Sequence, residues 1–67
     1  MSKMREIRKG HSMILAELGF RAEVDESFLS KAERGWKRVP GEAQERIAAV
    51  LGVDRAELFD EAGLAKN

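Results

Sequence analysis

Apolar residues recur three and four positions apart along most of the chain, and this spacing limits what the chain can fold into. Leu15, Leu18 and Ala22 are an example, because residues at these intervals share one face of an α-helix. Strand-like alternation of apolar and polar residues is missing, and β-branched residues are few. The sequence therefore predicts an all-α fold.

Glycine, proline and capping residues divide the helical pattern into short segments. Ser2 and Asp25 are suited to cap the amino ends of two helices, and Asp54 with Glu57 three residues later resembles a capping box. Pro40 suits the first position of another helix. We predict five helices, at about residues 2–9, 14–22, 26–34, 40–51 and 54–60.

Length and composition exclude several classes of function. A chain of 67 residues forms one domain, for which we expect a core over about residues 4–60 and a loosely held tail at 61–67. Cysteine is absent and His11 is the only histidine, so disulfides, thiolate metal sites and histidine clusters are excluded. No apolar run approaches the roughly 18 residues of a membrane span. We expect a cytoplasmic, non-enzymatic domain without a cofactor, metal or small-molecule ligand.

The charges are unevenly distributed although the formal net charge is zero. Residues 1–40 contain nine basic and six acidic side chains, whereas residues 41–67 contain three basic and six acidic ones. This asymmetry suggests a basic functional face and an acidic far side. The alternative is ordinary scatter of charge on a small protein.

Residues 15–34 read as a short helix, a three-residue turn and a second helix, the arrangement of a helix-turn-helix. Gly19 lies where the second helix crosses the first, and glycine inside a helix costs about 1 kcal/mol relative to alanine. Its presence indicates that the two backbones approach closely there. The shared core of the two helices is predicted to contain Leu18, Ala22, Val24, Leu29 and Ala32.

The outer face of the third helix carries small hydroxyls and cations. With Leu29 inward, a helical wheel places Ser27, Ser30, Lys31 and Arg34 outward, with Glu26 beside them. Lysine and arginine donate to guanine acceptors or phosphates, and serine donates or accepts at several bases. This chemistry suits a major groove, and the alternative is a solvated helix face.

Residues 29–35, LSKAERG, and residues 46–53, RIAAVLGV, resemble the lambda-repressor-like helix-turn-helix family, also called the XRE or Cro-type family. Arg38, Pro40 and residues 57–59 are similar to this family in type and spacing, and so are residues 5–8 of the first helix. The resemblance covers about residues 4–60. It implies a five-helix DNA-binding domain with a helix-turn-helix at helices 2 and 3, belonging to a small homodimeric repressor of phage Cro-like, restriction-modification controller or antitoxin type.

The resemblance gives the outward residues roles at double-stranded DNA. The candidates for reading bases are Glu26, Ser27, Ser30 and Lys31, and those for contacting phosphates are Arg34, Lys37 and Arg38. Glu26 has a second role available at the positive end of its helix. For Arg34, an ion pair with Glu33 or Glu6 and a phosphate contact are expected equally. For Trp36 we expect cover of its loop against helix 4, ahead of a contact with DNA or an interface.

Three apolar residues near the carboxyl end are candidates for a dimer interface: Leu58, Phe59 and Leu64. Together they are many for so short a segment. Some are expected to pack back on helix 4, and others to form a self-complementary patch between two-fold-related copies. A two-fold dimer places its recognition helices about one DNA turn, roughly 34 Å, apart. The expected partner is therefore an inverted repeat in DNA of the nucleoid.

Four positions depart from the family pattern. Glu23 replaces the usual glycine of the turn, Ile14 replaces a capping Ser or Thr, Leu15 replaces a phosphate-contacting Gln, and Ala32 replaces a larger aliphatic residue. With the zero net charge, these departures leave a second interpretation open. In it, the chain is a protein-interaction module that keeps the fold without specific DNA binding.

Overall fold

A computed structural model describes residues 2–67, and its architecture is helical as predicted. Within these residues, one isolated antiparallel bridge between Phe59 and Ala65 accompanies the helices. The helices are α1 (Lys3–Gly10), α2 (Leu15–Ala22), α3 (Glu26–Glu33), α4 (Gly41–Leu51) and α5 (Arg55–Leu58).

Local capping explains where most helices begin. The Ser2 hydroxyl accepts a hydrogen bond from the Arg5 backbone at 3.2 Å, and the Asp25 carboxylate accepts one from the Phe28 backbone at 3.1 Å. The Glu57 carboxylate accepts from the Asp54 backbone at 3.3 Å, the return bond of a capping box. These contacts confirm the predicted starts of α1, α3 and α5.

The predicted start of α4 is wrong by one residue. Pro40 is the N-cap rather than the first helical residue, with φ −59° and an extended ψ of 150°. The fixed φ of proline suits either position. The extended ψ continues the loop, in which the Val39 backbone N–H donates to the Gly63 carbonyl at 2.9 Å.

The close crossing of α2 and α3 depends on Gly19. A Cβ atom at this position would lie 2.7 Å from the Val24 carbonyl oxygen, which is closer than real contacts allow. The turn between the helices contains Glu23 in the left-handed conformation, with φ 57° and ψ 45°. Both features confirm the predicted helix-turn-helix, and Glu23 occupies a conformation that favours glycine.

The core lies where the five helices meet. α2 packs against both α3 and α4, and α5 packs against α4 and α1. The largest fully buried side chains are Met4, Leu18, Leu29, Ile47, Leu51 and Leu58. Of the shared core predicted for α2 and α3, only Val24 is partly exposed. The small Ala32 is fully buried among its neighbours.

The carboxyl-terminal residues are fixed to the rest of the fold, unlike the loose tail expected from the sequence. The Lys3 backbone N–H donates to the Lys66 carbonyl at 2.7 Å, and the Lys66 N–H donates to the Leu58 carbonyl at 2.8 Å. Gly63 is buried and accepts from Val39. Backbone pairing with distant residues therefore holds this segment in place.

The apolar residues proposed for a dimer interface lie mainly inside their own chain. Leu58 is fully buried and Phe59 is 3% exposed, so the exposure assumed for them is wrong. Leu64 is half-buried. The reason is the same backbone pairing, which folds residues 59–66 back over α5.

Candidate nucleic-acid interface

The helix-turn-helix fixes which side of α3 is available to a ligand. Leu29 and Ala32 are buried against α2 and the core, which turns the opposite side outward. Ser27 and Lys31 are exposed on that side, and Ser30 is half-buried at its edge. With Glu26 and Arg34, which are also exposed, these residues form the outer surface of α3. The structure thus places all four predicted base-reading residues on this surface.

The end of α3 is a Schellman turn. Gly35 is left-handed with φ +77°. The Trp36 backbone N–H donates to the Lys31 carbonyl at 3.0 Å, and the Gly35 N–H donates to the Ala32 carbonyl at 3.0 Å. The turn ends the helix sharply and directs the chain back, so that residue 36 lies next to residue 34.

Arg34 and Trp36 form a stacked pair on the surface. The Arg34 guanidinium carbon lies 4.9 Å from the Trp36 ring centroid, within the range of a cation–π interaction. Trp36 is 65% exposed, so the expectation that it covers the loop against α4 is wrong. The expected pairing of Arg34 with Glu33 or Glu6 is also wrong, because Glu33 binds another arginine.

That arginine is Arg8, and its buried ion pair with Glu33 joins α1 to α3. Arg8 Nε donates to Glu33 Oε2 at 2.6 Å, and Arg8 Nη2 donates to Glu33 Oε1 at 3.1 Å. Arg8 Nη1 also donates to the Met13 carbonyl at 2.7 Å. Each guanidinium nitrogen and each carboxylate oxygen therefore has a hydrogen-bond partner below the surface, which favours a buried pair.

The sequence contained a signal for this pair that our reading missed. Arg8 follows the buried Met4 by four residues, and Glu33 follows the buried Leu29 by four residues. Each charge therefore lies on the inward stripe of its helix. Two opposite charges on inward stripes are a reason to look for a buried pair.

The loop from α3 to α4 adds two exposed cations, Lys37 and Arg38. With Lys31 and Arg34 they give four exposed positive charges within eight residues, and we call these four the cationic segment. On α4 and α5 the exposed side chains include Glu42, Glu45 and Glu57. Arg55 there lies 3.6 Å from the Glu45 carboxylate. Exposed Glu26 lies beside these cations and exposed Arg46 lies on α4, so the separation of a basic face from an acidic one stays a prediction.

Two large apolar side chains are exposed, which was not predicted from the sequence. Phe20 on α2 is 87% exposed, and Ile14, before α2, is 66% exposed. Phe20 follows Ala16 by four residues, and both lie on the side of α2 that faces away from the core. Ile14 provides no side-chain cap for α2, as its apolar side chain dictates.

The described part of the chain contains neither a metal-binding cluster nor a membrane-spanning helix. Residues 2–67 contain no group of three or more histidine, aspartate or glutamate side chains placed to hold a metal ion. Over the same residues, no helix combines the length and the apolar character needed to cross a membrane.

A solved complex of SinR protein with SinI protein contains a chain with the same arrangement of helices. Our 67-residue chain therefore has a lambda-repressor-like fold. The superposition has a TM-score of 0.77 at 35% sequence identity and covers 88% of this chain. It covers 58% of the SinR–SinI chain, so our chain spans somewhat over half of that protein. No protein-family model matches the sequence, and no curated protein does so significantly.

Within this fold, α2 and α3 form the helix-turn-helix. The family resemblance seen in residues 29–35 and 46–53 is thereby supported at the level of the fold. The solved structure is an assembly of two proteins, SinR and SinI.

Proposed function

We propose that the chain is a sequence-specific, double-stranded DNA-binding transcription regulator of the XRE type, acting as a repressor associated with the nucleoid. The observation that carries the proposal is the outer surface of α3. It presents small hydroxyls and a lysine on a helix whose other side is buried. A helix held in this way fits the major groove, which is about 12 Å wide.

In the proposed complex, side chains divide by what they contact. Ser27, Ser30 and Lys31 read base edges. Glu26 accepts from a cytosine amino group or interacts with the positive end of α3. Contacts with backbone phosphates are assigned to Arg34, Lys37 and Arg38, and such contacts fix the register without reading sequence.

The proposal includes two copies of the chain on an inverted repeat. Two-fold symmetry places the recognition helices about one helical turn, roughly 34 Å, apart. Leu58 and Phe59 do not form the contact between copies, because they lie in the core. Control of such a regulator through its concentration, its pairing or a partner needs no catalytic or effector-binding machinery within these helices.

The test compares Lys31→Ala with Arg55→Ala, which removes an exposed cation from α5. Binding to a selected duplex and to single-base variants is measured by fluorescence anisotropy over a range of salt concentrations. If Lys31 reads a base, Lys31→Ala costs about 1–3 kcal/mol and relaxes specificity at one position per half-site. Arg55→Ala leaves specificity unchanged. An equal loss on every sequence reassigns Lys31 to a phosphate.

A second candidate function is a protein-interaction module, and the exposure of Phe20 favours it. An 87% exposed phenylalanine is unusual on a solvated helix and is common in recognition surfaces. In the SinR–SinI complex, a chain with a similar fold occurs in an assembly of two proteins. Weak duplex binding with no preferred sequence, together with loss of a protein contact in Phe20→Ala, would favour this alternative over DNA recognition.

A further inference from the structure

A cleft of about 430 Å³ lies beside the outer surface of α3. Its walls come from three helices and one loop: Arg5 of α1, Leu15 of α2, Ser30 and Arg34 of α3, and Trp36. Ser30 and Arg34 belong both to this cleft and to the outer surface of α3. A DNA strand that lies along that surface therefore passes two residues of the cleft.

Arg5 and Arg34 bring two positive charges to the lining of the cleft, which also includes the polar residues Ser2 and Asn67. Arg8 and Glu33 also line it, but they neutralise each other in their 2.6 Å ion pair. Among residues 2–67, no carboxylate lies within ion-pairing distance of Arg5 or Arg34. Two guanidinium groups thus remain available in one cleft, and planar guanidinium groups match the oxygens of a phosphate.

Trp36 restrains one of these two groups. Its ring contacts the Arg34 guanidinium, whose carbon lies 4.9 Å from the ring centroid, while the Schellman turn fixes the backbone that carries Trp36. An arginine side chain loses conformational entropy when it is ordered, and this loss opposes binding. Stacking that orders the side chain before binding reduces this cost at the moment of binding.

We propose that this cleft binds a phosphodiester of the DNA strand beside α3, with Arg5 and Arg34 as its ligands and Trp36 as a positioning residue for Arg34. The proposal rests on the proposed DNA-binding function and adds two residues to it. It also accounts for Leu15, which lines the same cleft and cannot itself bind a phosphate. The phosphate contact is assigned to α1 and the end of α3 instead.

The experiment is a double-mutant cycle on the full chain with a dye-labelled duplex. Binding is measured by anisotropy at several salt concentrations for Arg34→Ala, Trp36→Ala and the double variant. Arg34→Ala is expected to reduce the slope of log affinity against log salt by about 1, as loss of one phosphate contact does. Trp36→Ala is expected to weaken binding about two- to fivefold, as loss of an exposed cation–π interaction does.

The cycle separates positioning from a direct contact of Trp36 with DNA. If Trp36 acts through Arg34, Trp36→Ala has no further effect once Arg34 is alanine. Trp36→Phe, which keeps a ring face, recovers part of the lost affinity. Equal effects of Trp36→Ala with and without Arg34 overturn the positioning role.

Arg5→Ala tests the other half of the cleft, with Arg55→Ala as the matched control on a different face. Arg5→Ala is expected to lower the salt slope by about 1, and Arg55→Ala to leave it unchanged. Unchanged slopes for both Arg5→Ala and Arg34→Ala overturn the phosphate site, while base preference that depends on Lys31 leaves the proposed function standing. Absence of any duplex binding overturns both.

The chain also carries its own reporter of the cleft, since Trp36 is its only tryptophan and tyrosine is absent. A phosphate bound to Arg34 changes the surroundings of the Trp36 ring. We expect the tryptophan emission to change on addition of the duplex and to recover at high salt. Emission that stays constant while anisotropy reports binding contradicts occupation of the cleft.

Discussion

Glu33 and Arg34 are neighbours at the end of α3, yet the first side chain is buried and the second is exposed. Glu33 is 7% exposed and binds Arg8 through two hydrogen bonds. Arg34 is exposed and contacts the ring of Trp36. One step along a helix turns a side chain by about 100°, so adjacent charges of α3 end in the interior and on the surface.

The comparison separates charges that maintain the fold from charges available to a ligand. The Arg8–Glu33 pair connects α1 to α3 and forms the floor of the cleft, so its removal affects folding. Arg34 contributes little to the core, so its removal affects only what binds at the surface. The predictions below test this division, from the largest expected effect to the smallest.

Removing Glu33 is expected to have the largest effect on stability. Glu33→Ala leaves the Arg8 guanidinium buried without its partner, which costs about 3–5 kcal/mol of unfolding free energy. Urea denaturation followed by circular dichroism measures the loss. Glu17→Ala is the matched control, because Glu17 lies in an exposed pair with Arg21 at 3.5 Å and contributes at most about 0.5 kcal/mol. Similar losses of unfolding free energy in both variants would contradict the division between charges that maintain the fold and charges available to a ligand.

A double variant of the same pair distinguishes two causes of instability. One is the buried charge of Arg8 left without a partner, and the other is the loss of the Glu33 side chain itself. Replacing both members by apolar residues, Arg8→Met with Glu33→Leu, removes the buried charges together. A buried pair exchanged in this way is often neutral or better for stability. We expect the double variant to be more stable than Glu33→Ala alone, and equal instability would show that the hydrogen bonds to Arg8 cannot be replaced.

Gly35→Ala tests the turn that brings Arg34 and Trp36 together. Its φ of +77° is unfavourable for any residue with a Cβ, although no atom lies within 4 Å of the added methyl. We expect a loss of about 1–2 kcal/mol of unfolding free energy. Gly10→Ala is the control, since it is equally open and has no positive φ. A neutral Gly35→Ala would mean that the turn adapts to the side chain.

Glu23→Gly tests the turn between α2 and α3. Glu23, like Gly35, has a positive φ, but this turn holds a glutamate where the other holds a glycine. Glu23 has φ 57°, so glycine removes strain of about 1 kcal/mol, which the greater freedom of unfolded glycine partly offsets. We expect a small rise in melting temperature. Unchanged or lower stability would contradict strain at this position.

Arg34→Ala and Trp36→Ala are expected to have the smallest effect on stability. Both side chains are exposed, and surface substitutions usually change the unfolding free energy by less than about 0.5 kcal/mol. Thermal unfolding of both variants measures this effect. A loss comparable with that of Glu33→Ala would place the stacked pair among the elements that maintain the fold.

Local signals explain why so much of the fold could be predicted from the sequence. The caps at Ser2 and Asp25 act within three residues, and the apolar period of each helix is visible over two turns. Gly19 was informative because glycine inside a helix has a cost that only a close crossing explains. The outer surface of α3 followed from the same helical wheel.

The errors concern contacts between residues that are distant in sequence. The position of residues 61–67 depends on pairing of Lys66 with Lys3 and Leu58, which no local pattern reveals. Burial of Phe59 follows from that pairing. The exposure of Trp36 depends on where its loop lies, and its aromatic character alone favoured burial. The Arg8–Glu33 pair differs from these cases, because a helical wheel places both charges on the inward sides of their helices and so could have predicted the pair.

The most direct test of DNA recognition by α3 is selection of bound sequences from a random duplex pool at about physiological salt. We predict enrichment of an inverted repeat with half-sites one helical turn apart. With Lys31→Ala, one position in each half-site is expected to lose its preference while the rest of the motif remains. Recovery of no motif from the unaltered chain, with only weak and salt-sensitive binding, would contradict sequence-specific recognition by α3.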